Sequence, residues 1–335
     1  MDSLYICPSS KTRLTVNSGG DALISTEDLV YPILAIGNGI PNFLSAYSLG
    51  DKHKYNLSIY DKPFSVERYS NELTWLYKTF GEDEKSFRER NIERLEVQKG
   101  QRILVTGCGI GSDILPLAKA VGKNGQIYAQ DLSPEMVLQS AKSIENFSFT
   151  ENIHLSISDA QSLPFSDGFF DGVFHFGGLN LFSDIGASII EMTRVTKFDG
   201  KVVFGDESVA PWLRSKDYGK AAICNNSLWN AKVPLDLLPE NATDVNLSWV
   251  FGNCFYLISF TVSETGPYMN MNVPHIGPRG GSMRTRYFGK LEGINEELKE
   301  RFITMARSSG VSVVELLEEV LKEKILKNTN DLGKD

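Results

Sequence analysis

Three glycines at alternate positions, Gly107, Gly109 and Gly111, sit inside RILVTGCGIGSD, a stretch that begins at Arg102. Residues that favour strands run straight into them, and a helical pattern follows. Glycine permits positive φ and lets a ligand approach the backbone with no Cβ in the way. The first amides of the helix then attract an anionic or electron-rich group. About twenty residues on, Asp131 closes the next strand pattern, where a carboxylate can accept both hydroxyls of a ribose. Together these residues read as a nucleoside-type cofactor loop. The spacing is GxGxG, not the wider GxGxxG that seats a dinucleotide pyrophosphate. A glycine triplet alone also fits a structural turn, so the surrounding elements have to decide.

Those elements alternate. RILVTG, QIYAQD, IHLSISD, FDGVFHF and KVVFGDE read as strands. Between them SDILPLAKAVG, SPEMVLQSAKSI and IGASIIEMTRVTK read as helices, the second capped by Ser133 with Pro134 at its first position and the third closed by Asp199-Gly200. Such alternation implies a mostly parallel sheet with helices on both faces. VNLSWVF and CFYLISFTV, joined through Gly252-Asn253, suggest an antiparallel hairpin at one edge. The expected fold is α/β, doubly wound and Rossmann-like, with seven strands in the sheet. Before it come a small β-rich piece over residues 1–48 and a helical linker over 49–98, in which Leu73, Leu76, Tyr77 and Phe80 share one face. The cofactor domain runs over 99–265. Residues 266–335 add a loop, a short strand and two helices split at Ser309-Gly310.

Composition narrows the partners. The 335 residues carry a formal charge of −8, which argues against a broad nucleic-acid or anionic-membrane surface. The four cysteines, Cys7, Cys108, Cys224 and Cys254, are scattered and form no CxxC, so neither a zinc knuckle nor a redox pair is written here. Scattered cysteines suit a reducing compartment. The segment MDSLYICPSSKTRL lacks the long apolar core of a signal peptide, and no apolar run reaches the length of a membrane span. The reading is a cytoplasmic protein.

The motif series resembles the class I S-adenosylmethionine-dependent methyltransferases, in particular the small-molecule group that includes the ubiquinone and menaquinone C-methyltransferases. ILVTGCGIGSD is similar to the first family motif, IYAQDLSPEMVLQSAK to the second, and ISDAQSLPFSDGFFDGVFHFGGLNLFSD to the stretch from the adenine-contacting acid into the fourth strand. EMTRVTKFDGKVVFGD is similar to the helix and strand that follow. The resemblance covers roughly a third of the chain and implies S-adenosylmethionine as cofactor. Carried over, Thr106, Gly107, Cys108, Gly109 and Gly111 form the loop beside the methionine and ribose portions. Asp131 holds the ribose hydroxyls, and Leu132 and Met136 pack near the adenine. Asp159 accepts from the exocyclic amine, Ala160 offers a backbone amide, and Phe176 and Gly177 lie near the methionine. One position departs from the family: Val105 stands where an acid commonly helps hold the cofactor's ammonium.

Two further resemblances flank this core. LYICPSSKTRL…VYPILAIGNGIPNFL is similar to a zinc ribbon of the Trm112 type, but only Cys7 remains, with Ser10 in place of the second cysteine. Four soft ligands cannot be assembled, so no metal is expected. Residues 283–325 resemble a ribbon-helix-helix, with Arg284 and Arg286 on one face of a short strand, although Glu-rich helices point to dimerisation rather than DNA.

The implied activity is methyl transfer to oxygen or carbon of a small molecule. A binding protein without transfer and an RNA-directed enzyme are the alternatives. Trp212, Tyr218, Trp229 and Leu237, in the insert after the fifth strand, are candidates to line an acceptor pocket, with plain core packing as the alternative. None of His53, His154, His175 and His275 is assigned as a base, and the expected assembly is a homodimer built on the C-terminal helices.

Overall fold

A computed structural model describes residues 2–46, 50–62, 64–148, 150–277, 280–289, 291 and 294–331. The chain divides into two compact units, residues 1–267 and 268–335.

The first unit opens with a five-stranded antiparallel sheet of β1 (Asp2–Ile6), β2 (Arg13–Val16), β3 (Ala22–Ile24), β4 (Val30–Leu34) and β5 (Ile40–Pro41), in sequential order. Leu14, Leu23, Tyr31 and Phe43 give it a small core of its own. Three helices follow: α1 (Asp51–Tyr60), α2 (Ser65–Phe80) and α3 (Glu84–Glu93). The central sheet holds β6 (Arg102–Thr106), β7 (Gln126–Asp131), β8 (Ile153–Ile157), β9 (Phe170–Phe176), β10 (Thr196–Glu207), β11 (Ala242–Val250) and β12 (Phe255–Val262). Between its strands run α4 (Ile114–Val121), α5 (Pro134–Ile144), α6 (Ile185–Val195) and α7 (Asp217–Asn225).

The strand order is β11-β12-β10-β9-β6-β7-β8. The five strands from β8 to β10 are parallel, β12 runs antiparallel beside β10, and β11 closes the edge as the second arm of the expected hairpin. One face of the sheet packs Ile103, Val105, Val137 and Phe174 into a core, and the other packs Leu104, Val173, Ile189 and Phe204. A third, aromatic cluster of Tyr77, Phe87, Trp229, Phe251 and Phe255 joins α2 and α3 to the hairpin. Because β6 sends its crossovers to β7 on one side while β9 lies on the other, the chain direction switches between β6 and β9. A crevice opens at the carboxyl ends of strands at such a switch point.

The N-terminal sheet covers the far edge of the central one. Asn42 forms a parallel bridge with Ile157 of β8, Ile6 N donates to Pro164 O at 3.0 Å, and Ser162 Oγ donates to Pro8 O at 2.8 Å. An otherwise open edge strand is thereby shielded from pairing with another chain. Cys7 in this sheet is buried, its Sγ 3.2 Å from both Ser9 Oγ and Tyr31 Oη, while Ser10 Oγ bonds Thr12 Oγ1. Hydroxyls surround the lone thiol, and among the described residues no group of three or more His, Cys, Asp or Glu could hold a metal. Elemental analysis of the purified protein is expected to find no stoichiometric zinc, and one zinc per chain would refute this account.

The second unit contains α8 (Met283–Phe288), α9 (Glu296–Ser308) and α10 (Val313–Asp331). Ala306, Val313 and Leu316 form its small core with Leu291. Two readings of the sequence need correction. Arg284 and Arg286 lie on the helix α8, not on a strand. Ser282 and Thr285 form a reciprocal capping box at its start, which fixes the backbone as helical. Asp199-Gly200 does not close α6 either. The helix ends at Val195, β10 begins at once, and Asp199, with φ of 63°, sits where the pairing of β10 with β9 shifts register between Thr196 and Lys201. Asp-Gly supplies a left-handed turn in both settings, so the dipeptide alone could not distinguish a bulge from a cap. No helix of the described residues is long and apolar enough to cross a membrane.

Candidate active site

The cavity at the switch point encloses about 790 Å3 of space between protein atoms, part of it open to solvent. Its floor is backbone. β6 delivers the glycine loop, in which Gly107 and Gly109 both have positive φ. A Cβ on Gly107 would stand 3.0 Å from the His175 ring, so only glycine fits there without displacing it. From the end of β9, Gly177 and Gly178 also take positive φ, and where their Cβ atoms would project there is open space. Four glycines thus line one cradle with bare main chain.

Asp131, at the end of β7, ties this cradle together. Its Oδ2 accepts from Gly109 N at 2.9 Å and its Oδ1 from Ser133 N at 2.9 Å. Burial pushes the Asp131 carboxyl up, while the amides of Ser133, Gly109 and Leu132 pull it down. Ser133 caps α5 by accepting from Met136 N, as its position before Pro134 suggests. Leu132 and Met136 line the wall beyond. From the loop after β8 come Asp159 and Ala160. Asp159 Oδ1 accepts from Gln161 N at 2.9 Å, and its Oδ2 lies 2.9 Å from His53 Nε2 of α1.

Eight of the twelve residues singled out in the sequence therefore meet at one cavity: Gly107, Gly109, Asp131, Leu132, Met136, Asp159, Ala160 and Gly177. The other four stand behind its wall. Thr106 is buried with Oγ1 toward Met192 Sδ, although its carbonyl oxygen lies 2.8 Å from His175 Nδ1. Cys108 turns its buried thiol toward Ser140, and burial pushes that thiol up. Gly111 packs against Ser140 and Ser143, and Phe176 joins the aromatic cluster beside Phe87 and Phe255. Of the four candidates for an acceptor pocket, Trp229 is buried in that cluster, and Trp212, Tyr218 and Leu237 are exposed; none lines this cavity.

Sequence reasoning missed the roof. His53, Asn56, Leu57 and Tyr60 of α1, with Tyr69 of α2, close over the cradle. No spacing rule marks them, because they belong to the helical linker and reach the site only through the tertiary fold. It also missed an acidic pair at the end of β10. Asp206 is buried and accepts from the backbone amides of Gly178 and Asn180, which holds the loop after β9 in place. Burial and the adjacent Asp206 raise the Glu207 carboxyl well above the usual range. Asn180 Nδ2 donates to Glu207 O at 2.8 Å.

This pair predicts a pH dependence of stability. A carboxyl whose folded-state pKa lies above its unfolded value contributes no penalty while both states are protonated. It costs stability as the pH rises through the interval between the two values. Glu207→Gln removes the titration. Its melting temperature is expected to match the parent near about pH 4 and to exceed it increasingly toward about pH 8. Parallel melting curves at every pH would contradict this.

Residues 97–259 match the family model described as a methyltransferase domain. They are a class I methyltransferase domain. Demethylmenaquinone methyltransferase of Geobacillus sp. (strain WCH70) is 33% identical over 144 residues, 43% of this chain and 56% of that protein. The enzyme of the same name from Staphylococcus aureus (strain MRSA252) is 38% identical over 122 residues, 36% of this chain and 49% of that one. The chain thus spans about half the length of these curated relatives. Among solved structures, phosphoethanolamine N-methyltransferase 2 of Haemonchus contortus, in complex with phosphomonomethylethanolamine and S-adenosylhomocysteine, superposes with a TM-score of 0.51 at 12% identity. That match covers 64% of this chain and 61% of the other, and it shows a shared fold. In the domain thus identified, the strand order places the glycine loop, Asp131 and Asp159 at the carboxyl ends of three successive strands of the sheet.

Proposed function

We propose that this protein binds S-adenosylmethionine in the cavity above Gly107 and Gly109 and transfers its methyl group to oxygen or carbon of a small-molecule acceptor. The observation that carries the reading is the bare-backbone cradle facing Asp131 and Asp159 within one cavity. The residues present fit such a cofactor. Asp131, fixed by two amides, has lone pairs left for two ribose hydroxyls. Leu132 and Met136 offer an apolar wall to adenine, and Asp159 supplies an acceptor for its amine. Gly177 and Gly178 leave room where a Cβ would intrude on the methionine portion. Bound there, the cofactor supplies an electrophilic methyl on a sulfonium. The chain's share is to orient the reactants and exclude water, which alone accounts for much of such a displacement.

The names of the relatives suggest the acceptor class. Both matched proteins are demethylmenaquinone methyltransferases, so a quinol is the first acceptor to try. Val105, buried in the core where related sequences commonly carry an acid, favours a second reading, a protein that binds the cofactor without transfer. Calorimetry with S-adenosylhomocysteine and with NAD, then assays with labelled S-adenosylmethionine on demethylmenaquinol and on a metabolite extract, separate these. Micromolar binding of the nucleoside thioether and none of NAD is expected, with label transferred to a small molecule. The reverse binding preference overturns the reading, and binding without any transfer favours the second.

The domain scheme belongs to the same proposal: a degenerate ribbon over 1–48 retained for packing, a helical cap over 49–98, the catalytic domain over 99–265 and an association element over 266–335. The protein is read as cytoplasmic and homodimeric. Support for the dimer comes from the second unit, whose Leu298, Met305, Val320 and Leu321 are exposed on α9 and α10. Light scattering is expected to give twice the chain mass for the full protein and a single chain after truncation at Gly289. A full-length monomer at micromolar concentration refutes the dimer.

A further inference from the structure

The two lips of the crevice are each tied outward. On one side Gly109 N of the glycine loop donates to Asp131 at the end of β7. On the other, Gly178 N and Asn180 N of the loop after β9 donate to Asp206, near the end of β10. Backbone pairing between β6 and β9 stops at Val105 and Phe174, and beyond it the strands part. One residue further on, a side chain ties the lips together. His175 Nδ1 lies 2.8 Å from Thr106 O. A carbonyl can only accept, so Nδ1 carries the hydrogen.

The same ring touches both loops. Its Cε1 and Nδ1 stand 3.0 and 3.2 Å from where a Cβ on Gly107 would project, so the imidazole fills the space on that side of the glycine loop. From the loop after β9, Phe182, which lines the cavity, packs against the ring with centroids 5.2 Å apart. Burial pushes the imidazole pKa down, which leaves the ring neutral and its Nε2 an acceptor. That nitrogen is shielded and has no partner among the described residues. A bare buried acceptor costs stability, so an aliphatic side chain would suit this core better if packing were the only demand. What the imidazole adds is the bond across the gap.

We propose that His175 is a positioning residue that sets the width of the slot between the glycine loop and Gly177–Gly178, and so holds the methionine portion of the cofactor. It touches neither reactant and acts through Thr106, Gly107 and Phe182. This rests on the cofactor reading above, and deepens it by naming what spaces the two lips. The groups read there as holding adenine and ribose, Asp131, Leu132, Met136 and Asp159, follow β7 and β8 instead, on the far side of the glycine loop. Loosening the tie therefore acts on one end of the ligand and spares the other.

Calorimetric titration of the full chain with S-adenosylhomocysteine and with 5′-methylthioadenosine, which lacks the amino-acid end, tests this. The parent is expected to bind S-adenosylhomocysteine more tightly. His175→Leu is expected to weaken it about tenfold, the scale of one lost hydrogen bond and the loosening that follows. Methylthioadenosine should weaken by less than about twofold. His175→Asn, whose side-chain amide can donate from the place of Nδ1, is expected to restore most of the loss. The melting temperature of His175→Leu should change little, because it exchanges an orphaned Nε2 for an orphaned Thr106 carbonyl. If that variant does not fold, His175→Gln, with its amide one atom further along the chain, carries the same expectation. Unchanged affinity for S-adenosylhomocysteine, equal weakening of both ligands, an asparagine variant no better than leucine, or a parent that binds both ligands equally overturns this inference alone. A parent that binds neither ligand overturns the cofactor reading, and this inference with it.

Discussion

Asp131→Ala is expected to weaken binding of S-adenosylhomocysteine by about 1.5–3 kcal/mol, roughly ten- to a hundredfold, the scale of charge-assisted hydrogen bonds lost to a ribose. Two effects combine in that figure. In the proposed binding mode the carboxylate is the acceptor for the ribose, and it also fixes the glycine loop, since Gly109 N donates to it at 2.9 Å. Without it the amides of Gly109 and Ser133 lose their partners, and the loop no longer presents a preformed cradle. Asp131→Asn keeps one acceptor oxygen and should fall between the two. Calorimetric titration of the three proteins provides the check, and equal affinity for parent and alanine variant would remove Asp131 from the site.

What was legible in the sequence is what the backbone itself demands. Gly107 and Gly109 were readable because a tight strand-to-helix turn leaves few residues any choice, and Asp131 because a fixed strand length carries it to the same crevice. The strand-helix alternation gave the sheet for a similar reason, since each crossover has to return to the same edge. Thr106, Cys108 and Phe176 show where that logic stops. They occupy motif positions, but the period of two in a strand turns the side chains of Thr106 and Phe176 into the core, and Cys108 packs against Ser140. His53 and Glu207 were illegible for the opposite reason. Neither belongs to a motif; each matters only because the fold carries it to a carboxylate, Asp159 in one case and Asp206 in the other. Arg284 and Arg286 were placed on a strand by alternation, and the Ser282–Thr285 capping box overrode that pattern within one turn.

The strongest effect on stability is expected at Arg88 of α3. Its side chain is 9% exposed, and it donates from Nη1 to Asp113 Oδ1 at 2.8 Å and from Nε to Glu84 Oε1 at 2.8 Å. The guanidinium also lies over the Tyr77 ring, 5.8 Å from its centroid. Asp113 is the residue at which α4 begins, directly after the glycine loop, so this pair pins α3 to the start of α4. Burial works against the Arg88 charge, but Asp113, Tyr77 and Glu84 together more than offset it and hold the group protonated. Arg88→Leu would strand the Asp113 carboxylate, whose side chain is 13% exposed, and is expected to cost about 3–5 kcal/mol. The cost is a property of the orphaned partner rather than of the pair. Replacing both, as Arg88→Leu with Asp113→Leu, removes the uncompensated charge and is expected to recover much of the loss, because apolar packing can substitute for a buried ion pair. Urea unfolding of the two single variants and the double variant reads this directly. A double variant no more stable than Arg88→Leu would show that the guanidinium acts through its contact with Tyr77 instead of through Asp113.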